Sequence, residues 1–279
     1  MNNNLKNKNI AIAEDTLNIL SNGYYLYKSR DKKNFKDNLD YSINNTKVIK
    51  NYKLSSYCNS TVEADIVFEQ KTTVQSIIES SGNYGNIIVL NFASAKHPGG
   101  GFLNGSSAQE ESLARVSGLY LSLKSKQSEY YDNNIKNTNN GIYNDSMIYS
   151  PFVPFIKNDI GDLLENIIFC SVITSPAVNR GVAISRGVSE TQVKICMEKR
   201  IGLILDLAIS LDESKNALLI LGAFGCGVFK NNPKDIARIF KNQINKRNIK
   251  LKEKNMRILF SIPDKFNLDI FIEQFKNKQ

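Results

Sequence analysis

Residues 87–122 read IIVLNFASAKHPGGGFLNGSSAQEESLARVSGLYLS, and this stretch decides the fold. Ile87 to Phe92 is a short apolar run, β-branched at its start. It predicts a strand covered on both faces, as parallel strands are. Pro98 and the glycines Gly99, Gly100 and Gly101 then clear every side chain from one patch of main chain. Consecutive glycines lose entropy on folding, and a ligand that approaches the backbone closely is the usual compensation. Gln109, Glu110 and Glu111 open an amphipathic helix whose apolar side takes in Leu113, Val116, Leu119 and Leu123.

Upstream, residues 1–9 read as disordered, and the stripe Ile10, Ala13, Leu17, Leu20 predicts a helix over 9–20 that ends at the turn Asn22-Gly23. The Asn- and Lys-rich region to Lys53 reads as loops and a short helix. Ile66 to Phe68 is a short strand, and a helix over 73–80 is capped by Thr72 or Thr73.

Downstream, the polar tract 124–146, with Tyr130 and Tyr131, reads as a mobile insertion. Residues 147–155 carry Pro151 and Pro154 and read as an extended segment near a sheet edge. A strand over 167–173 leads to a loop over 176–187. Ser189 and Gln192 then fit a capping box for a helix over 190–211. Ala217 to Leu221 enters a second glycine loop, GAFGCGVF, with Gly222, Gly225 and Gly227. Asn232 caps the next helix, with Pro233 at its first position. A strand over 256–262 and a helix over 268–275 finish the chain. Alternating strands and helices imply a three-layer α/β domain with a mostly parallel sheet, which binds ligands outside the carboxyl ends of its strands.

The chain of 279 residues is 42% hydrophobic, enough for a sizeable core. It has no apolar run long enough for a membrane, and its start, MNNNLKNKN, lacks the apolar centre of a signal peptide. A cytoplasmic, soluble protein is expected. Cys58, Cys170, Cys196 and Cys226 form no C-x-x-C pair and His97 is the only histidine. Free thiols and no metal site are therefore expected. The net charge of +9 sits at the ends, with 10 Lys/Arg against 5 Asp/Glu in residues 1–53 and 13 against 5 in 230–279. Basic ends attract polyanions, but a solvated lysine-rich surface is the more ordinary reading, and direct nucleic-acid binding is not expected. Arg115 reads as half of a surface pair with a helix carboxylate.

Two loops that present backbone N–H groups without side chains suit a diphosphate. Neither is followed by Gly-Lys-Ser/Thr, so a Walker site is excluded, and the dinucleotide fingerprint around Gly99 fails at Asn104. Glycosidic cleavage needs a proton on the leaving oxygen, so one carboxyl of an adjacent pair must start out protonated. Burial or repulsion by its neighbour must then outweigh the helix dipole, which favours both anions.

Three glycines, a spacer of seven residues (Phe102 to Ala108) and Gln-Glu-Glu resemble the signature of poly(ADP-ribose) glycohydrolases. The flanking NFASAK and SLARVSGLY are similar to the microbial branch, and the resemblance covers nearly the whole chain. It implies a macrodomain over 61–279, three-layered with a mixed, mostly parallel sheet, behind a helical extension over 1–60. It implies hydrolysis of ribose–ribose bonds in poly(ADP-ribose), from the chain end, releasing ADP-ribose. Glu111 would be the catalytic acid, Glu110 would hold sugar hydroxyls and Gln109 would support the loop. Gly99, Gly100, Gly101, Gly225, Cys226, Gly227 and Val228 would wrap the diphosphate, with Phe229 against the ribose and Asn91 on the distal ribose. Asp65 and Glu69 are the nearest candidates for adenine. His97 departs from the family, where Asn is common. The partner is poly(ADP-ribose) or an ADP-ribosylated macromolecule, without cofactor or metal, and the chain is expected to be a monomer. Two alternatives keep the fold: a hydrolase removing single ADP-ribosyl units from protein or nucleic acid, and a module that binds ADP-ribose without cleaving it.

Overall fold

The computed structural model describes residues 3–50, 52, 63–213 and 216–276. Its first part holds α1 (Asn3–Asn22), the hairpin strands β1 (Tyr24–Tyr27) and β2 (Asp31–Asn34), α2 (Lys36–Asn45) and β3 (Lys47–Ile49). Then follow β4 (Asp65–Glu69), α3 (Thr73–Ser80), β5 (Asn86–Phe92), α4 (Gln109–Val116), α5 (Leu119–Lys124) and α6 (Asp132–Lys136). The long strands β6 (Met147–Lys157) and β7 (Leu163–Ser175) lead to α7 (Arg180–Ser185) and α8 (Glu190–Leu211). The chain closes with β8 (Ala217–Leu221), α9 (Pro233–Asn245), α10 (Asn248–Glu253), β9 (Arg257–Ser261) and α11 (Lys265–Lys276).

Seven strands form one sheet in the order β3-β6-β7-β5-β8-β9-β4. Strands β7, β5, β8, β9 and β4 run parallel, and β6 and β3 are added by antiparallel pairing. In β5 the side chains alternate between two cores, as the pleat requires. Ile87 and Val89 pack with Val74 and Ile77 of α3 and Leu113 and Val116 of α4. Ile88 and Leu90 pack with α8 (Ile201, Ile204, Ala208), α9 (Ile236, Phe240) and Phe271 of α11. Three layers result, mixed and mostly parallel in the sheet. Among the described residues no helix is long and apolar enough to cross a membrane.

Several sequence expectations are corrected. Residues from Asn3 onward are helical, because the stripe Asn9, Ala13, Thr16, Leu20 is buried along α1. The charged region after it supplies the β1–β2 hairpin and β3, which pairs with Met147–Tyr149 in the main sheet. A division of the chain at residues 60 and 61 lies outside the described residues. The helix starting at Gln109 stops at Val116. Ser117 bridges to Phe155, and Gly118 donates to Pro154 O at 2.9 Å. A Cβ at Gly118 would stand 2.7 Å from Leu39 Cδ1 and 3.0 Å from the Pro154 ring, so glycine suits this close crossing. The tract 124–146 is mostly short helical turns, held by Tyr130 and Tyr131, which are buried. Pro151 of β6 falls at a register shift between Ser150 and Val153, where Phe152 has φ 48°, and this bulge lets proline sit inside a strand, while Pro154 beyond it stays in register opposite Phe169. The loop 176–187 contains α7. Ser189 accepts from Gln192 N, but the Gln192 side chain turns to Cys196 Sγ, so only half of that capping box forms. The full box is at Thr72 and Gln75. Cys58 lies outside the described residues, and Cys170, Cys196 and Cys226 are free thiols.

Candidate active site

The carboxyl ends of β5, β8 and β9 open into a cleft of about 820 Å³. One side of it is lined by His97, Gly100, Gly101, Gln109, Glu110 and Glu111, and another by Gly225 to Phe229. The far end is formed by Thr72 to Val74, Ser261 to Asp264 and Asn267. The two glycine loops therefore meet, as the order of strands requires.

Gln109 anchors the start of α4 to the sheet. Its Oε1 accepts from Phe92 N at 2.9 Å, and its Nε2 donates to Leu90 O at 2.9 Å and Thr73 Oγ1 at 3.2 Å. The amide thus closes the last turn of β5 and fixes the direction in which the next two side chains leave the helix.

Those two carboxyls are unlike. Glu110 is on the core stripe of α4 and only 2% exposed. Its Oε2 accepts from Ser94 N at 2.6 Å and its Oε1 from Asn91 Nδ2 at 3.2 Å. Burial still pushes its carboxyl up to about 8, against the pull of those donors, and Glu111 adds to the rise. Glu110 is therefore neutral at pH 7. Its proton needs an acceptor, and the wholly buried Asn91 has one: Oδ1 has no partner, and turning the amide over would aim it at Glu110. Glu111 is half-buried and reaches back to the loop, where its Oε1 accepts from Gly101 N at 2.9 Å.

The neutral state of Glu110 has a measurable consequence. A carboxyl whose folded value lies above its unfolded value lowers stability as pH rises between the two. The ligand-free protein is expected to lose up to about 1.4 kcal/mol per pH unit from this group between pH 5 and 8, then level off. Glu110→Gln should flatten that slope in urea denaturation series across the range; an unchanged slope would show that Glu110 is ionised throughout.

The first glycine loop departs from the expectation that its amides face a ligand. Gly100 N donates to His97 O at 3.0 Å, Gly101 N to Glu111, and Phe102 N to Gly99 O at 3.3 Å. What the glycines supply is room. Gly100 has φ +58°, and a Cβ there would collide with Glu111 Oε1 and stand 3.2 Å from Glu110 Oε2. Gly99 does not line the cleft; it lets Phe102 and Ala114 close behind the loop. Asn91 also lies outside the cleft lining, beneath Glu110, because its place on β5 points it into the helix layer.

The second loop keeps donors free. Among the described residues, the N–H groups of Gly227 and Val228 donate to no protein acceptor, and Val228 is 79% exposed. Gly225, at φ +74°, is buttressed by Asn231, whose Nδ2 donates to Gly225 O at 3.1 Å and Val178 O at 2.8 Å. Burial pushes the Cys226 thiol up to about 12, so it is a neutral packing group. Phe229 lines the cleft with its ring near Tyr143.

Asp65 and Glu69 do not line the cleft; they pair with Arg257 at 2.7 Å and Lys71 at 3.1 Å. His97 lines it and is exposed. Arg115 is no surface partner: its guanidinium is buried and bonded to Ser106 O and Ser112 Oγ. Sequence reasoning missed Ser94, whose amide holds Glu110, and Asp159. The β6–β7 turn brings Asp159 to the cleft wall, 2.5 Å from Thr72 Oγ1. Its turn sequence Asn-Asp-Ile-Gly signals a hairpin but not where the tip lands.

Residues 13–158 match the family model described as microbial-type PARG, catalytic domain. No curated protein matches the chain. Among solved structures, the poly(ADP-ribose) glycohydrolase of Thermomonospora curvata is 31% identical, with a TM-score of 0.83 over 96% of this chain and 99% of that one. The same enzyme bound to the inhibitor ADP-HPD is 29% identical, with a TM-score of 0.80 over 96% and 99%. The Deinococcus radiodurans poly(ADP-ribose) glycohydrolase in complex with ADP-ribose is 31% identical, with a TM-score of 0.73 over 85% of this chain and 97% of that one.

Proposed function

The chain belongs to the microbial-type poly(ADP-ribose) glycohydrolase family, and from that premise we propose that it cuts the polymer from its end, with Glu111 as acid and base and Glu110 as its neutral partner. The activity is hydrolysis of the ribose–ribose O-glycosidic bond with release of ADP-ribose.

The observation that carries the assignment of roles is the unequal setting of the two carboxyls. Glu110 is neutral and almost wholly buried, with only an edge on the cleft, so it adds no charge to a site that must admit a diphosphate. Glu111, the less buried of the two, lines the cleft with its Oε1 held by Gly101 N of the glycine loop. Glu111 gives its proton to the leaving ribose oxygen as the bond from the anomeric carbon to that oxygen breaks. Water attacks the oxocarbenium carbon, its proton returns to Glu111, and hydroxyl remains on the sugar. Glu110 holds sugar hydroxyls, Gln109 keeps α4 on the sheet, and Gly100 and Gly101 leave space for the ribose.

In this reading the free amides of Gly227 and Val228 hold the diphosphate, Gly225 and Cys226 shape that loop, and Phe229 packs on the distal ribose. The adenosine half lies toward Thr72, Ile262, Pro263 and Asn267 at the far end of the cleft. Poly(ADP-ribose) incubated with the protein should yield free ADP-ribose as the earliest product. Early oligomers would mean internal cleavage, and release only from mono-ADP-ribosylated protein would overturn the polymer assignment.

Gly227 tests the clamp alone. No atom lies within 4 Å of a Cβ added there. Alanine keeps the N–H but adds a methyl to a loop the diphosphate must approach closely, so Gly227→Ala should leave the melting temperature unchanged and weaken ADP-ribose binding about tenfold. Calorimetric affinity equal to wild type would place the diphosphate elsewhere.

A further inference from the structure

Glu111 and Arg115 stand one turn apart on α4. The Arg115 residue is 4% exposed and does not line the cleft. Its Nη1 donates to Ser106 O at 2.8 Å and its Nη2 to Ser112 Oγ at 3.3 Å. Ser106 N in turn donates to Gly101 O at 3.2 Å, and Gly101 N donates to Glu111 Oε1 at 2.9 Å. These bonds close a ring that leaves α4 at Arg115, crosses the spacer and glycine loop, and returns to α4 at Glu111.

The ring is held from behind by α1. The Arg115 carbonyl belongs to the last turn of α4, where carbonyls have no partner within the helix. It accepts from Thr16 Oγ1 at 2.7 Å, and Thr16 is fully buried. On the same stripe, Asn9 Nδ2 donates to Gly105 O at 3.1 Å, and Ala13 packs with Phe102 and Ala114. One helix thus grips both the spacer and the end of α4.

We propose that Arg115, seated by Thr16 of α1, is a positioning residue for the reaction: it sets where the Glu111 carboxyl stands against the glycine loop. Arginine is suited to this because its planar fork binds two acceptors at once, whereas a lysine ammonium on a flexible stem leaves one of them loose. A small displacement of a catalytic group costs far more in rate than in binding. The inference rests on Glu111 as the proton donor.

The test compares Arg115→Lys, Thr16→Val and Thr16→Ser with Glu111→Gln, measuring kcat on poly(ADP-ribose) and ADP-ribose affinity by calorimetry. Arg115→Lys is expected to lose about 100-fold in kcat while affinity stays within about threefold. Thr16→Val, which removes one buried hydroxyl, should lose about tenfold in kcat, and Thr16→Ser should restore the wild-type rate. Should Arg115→Lys fail to fold, the Thr16 pair carries the decision. Unchanged kcat in Arg115→Lys or, where that variant does not fold, in Thr16→Val overturns the proposal. Affinity falling in step with rate also overturns it. An active Glu111→Gln sinks the reading of Glu111 instead.

Discussion

Glu111→Gln is expected to lower kcat on poly(ADP-ribose) by about a thousandfold while ADP-ribose affinity changes little. Glutamine keeps an oxygen at the position that accepts from Gly101 N, so the loop should keep its shape. What the variant lacks is a proton to give to the leaving ribose. The proposed clamp at Gly227 and Val228 is untouched, so the product should still bind. Single-turnover rates at saturating polymer, with parallel calorimetry, separate the two effects. Residual activity within about tenfold of wild type would move the proton donor away from residue 111.

Gly100→Ala is expected to be almost as damaging, although it changes no chemical group. The backbone there has φ +58°, where a side chain costs about 1–2 kcal/mol. The larger effect is local. A Cβ would stand 2.8 Å from Glu111 Cδ, so the carboxyl must leave Gly101 N and swing toward the cleft. About a hundredfold loss in kcat should follow from the misplaced acid alone. The melting temperature should fall by only a few degrees, since one strained residue is a small part of the total stability. A variant with wild-type kcat would mean that the resting position of Glu111 is irrelevant to turnover.

Much of this site was legible in residue order. The strand β5, the two glycine loops and the Gln-Glu-Glu start of α4 announce themselves, because each is dictated by local backbone needs. Helix phase puts Glu110 three residues before Leu113, on the face packed against the sheet. It does not by itself separate the two glutamates, since Glu111 lies three and four residues before the buried Ala114 and Arg115. Other features depend on partners far along the chain. Strand β2 reads Asp-Lys-Lys-Asn, too polar to announce a sheet, and β1 and β3 are only four and three residues long. Nothing near Arg115 says that two oxygen acceptors, one a main-chain carbonyl, will receive it in the interior. The occupied amides of Gly100 and Gly101 reverse what their composition suggests, because three glycines in a row advertise open donors and the fold uses them internally. Asp159 reaches the site through long-range packing, which no local pattern encodes, and Ser94, two residues past β5, carries no local sign that its amide will meet Glu110.

The attachment of α1 also bears on how the chain is made. Thr16 and Arg115 are separated by 99 positions, Tyr25 and Leu164 by 139, and Asp15 and Lys157 by 142. During synthesis the amino-terminal helix and hairpin leave the ribosome early and must wait for most of the polypeptide before their apolar sides find cover. In that interval the nascent segment depends on its own polarity, and its many asparagines and lysines keep it dissolved until β7 arrives to complete the assembly.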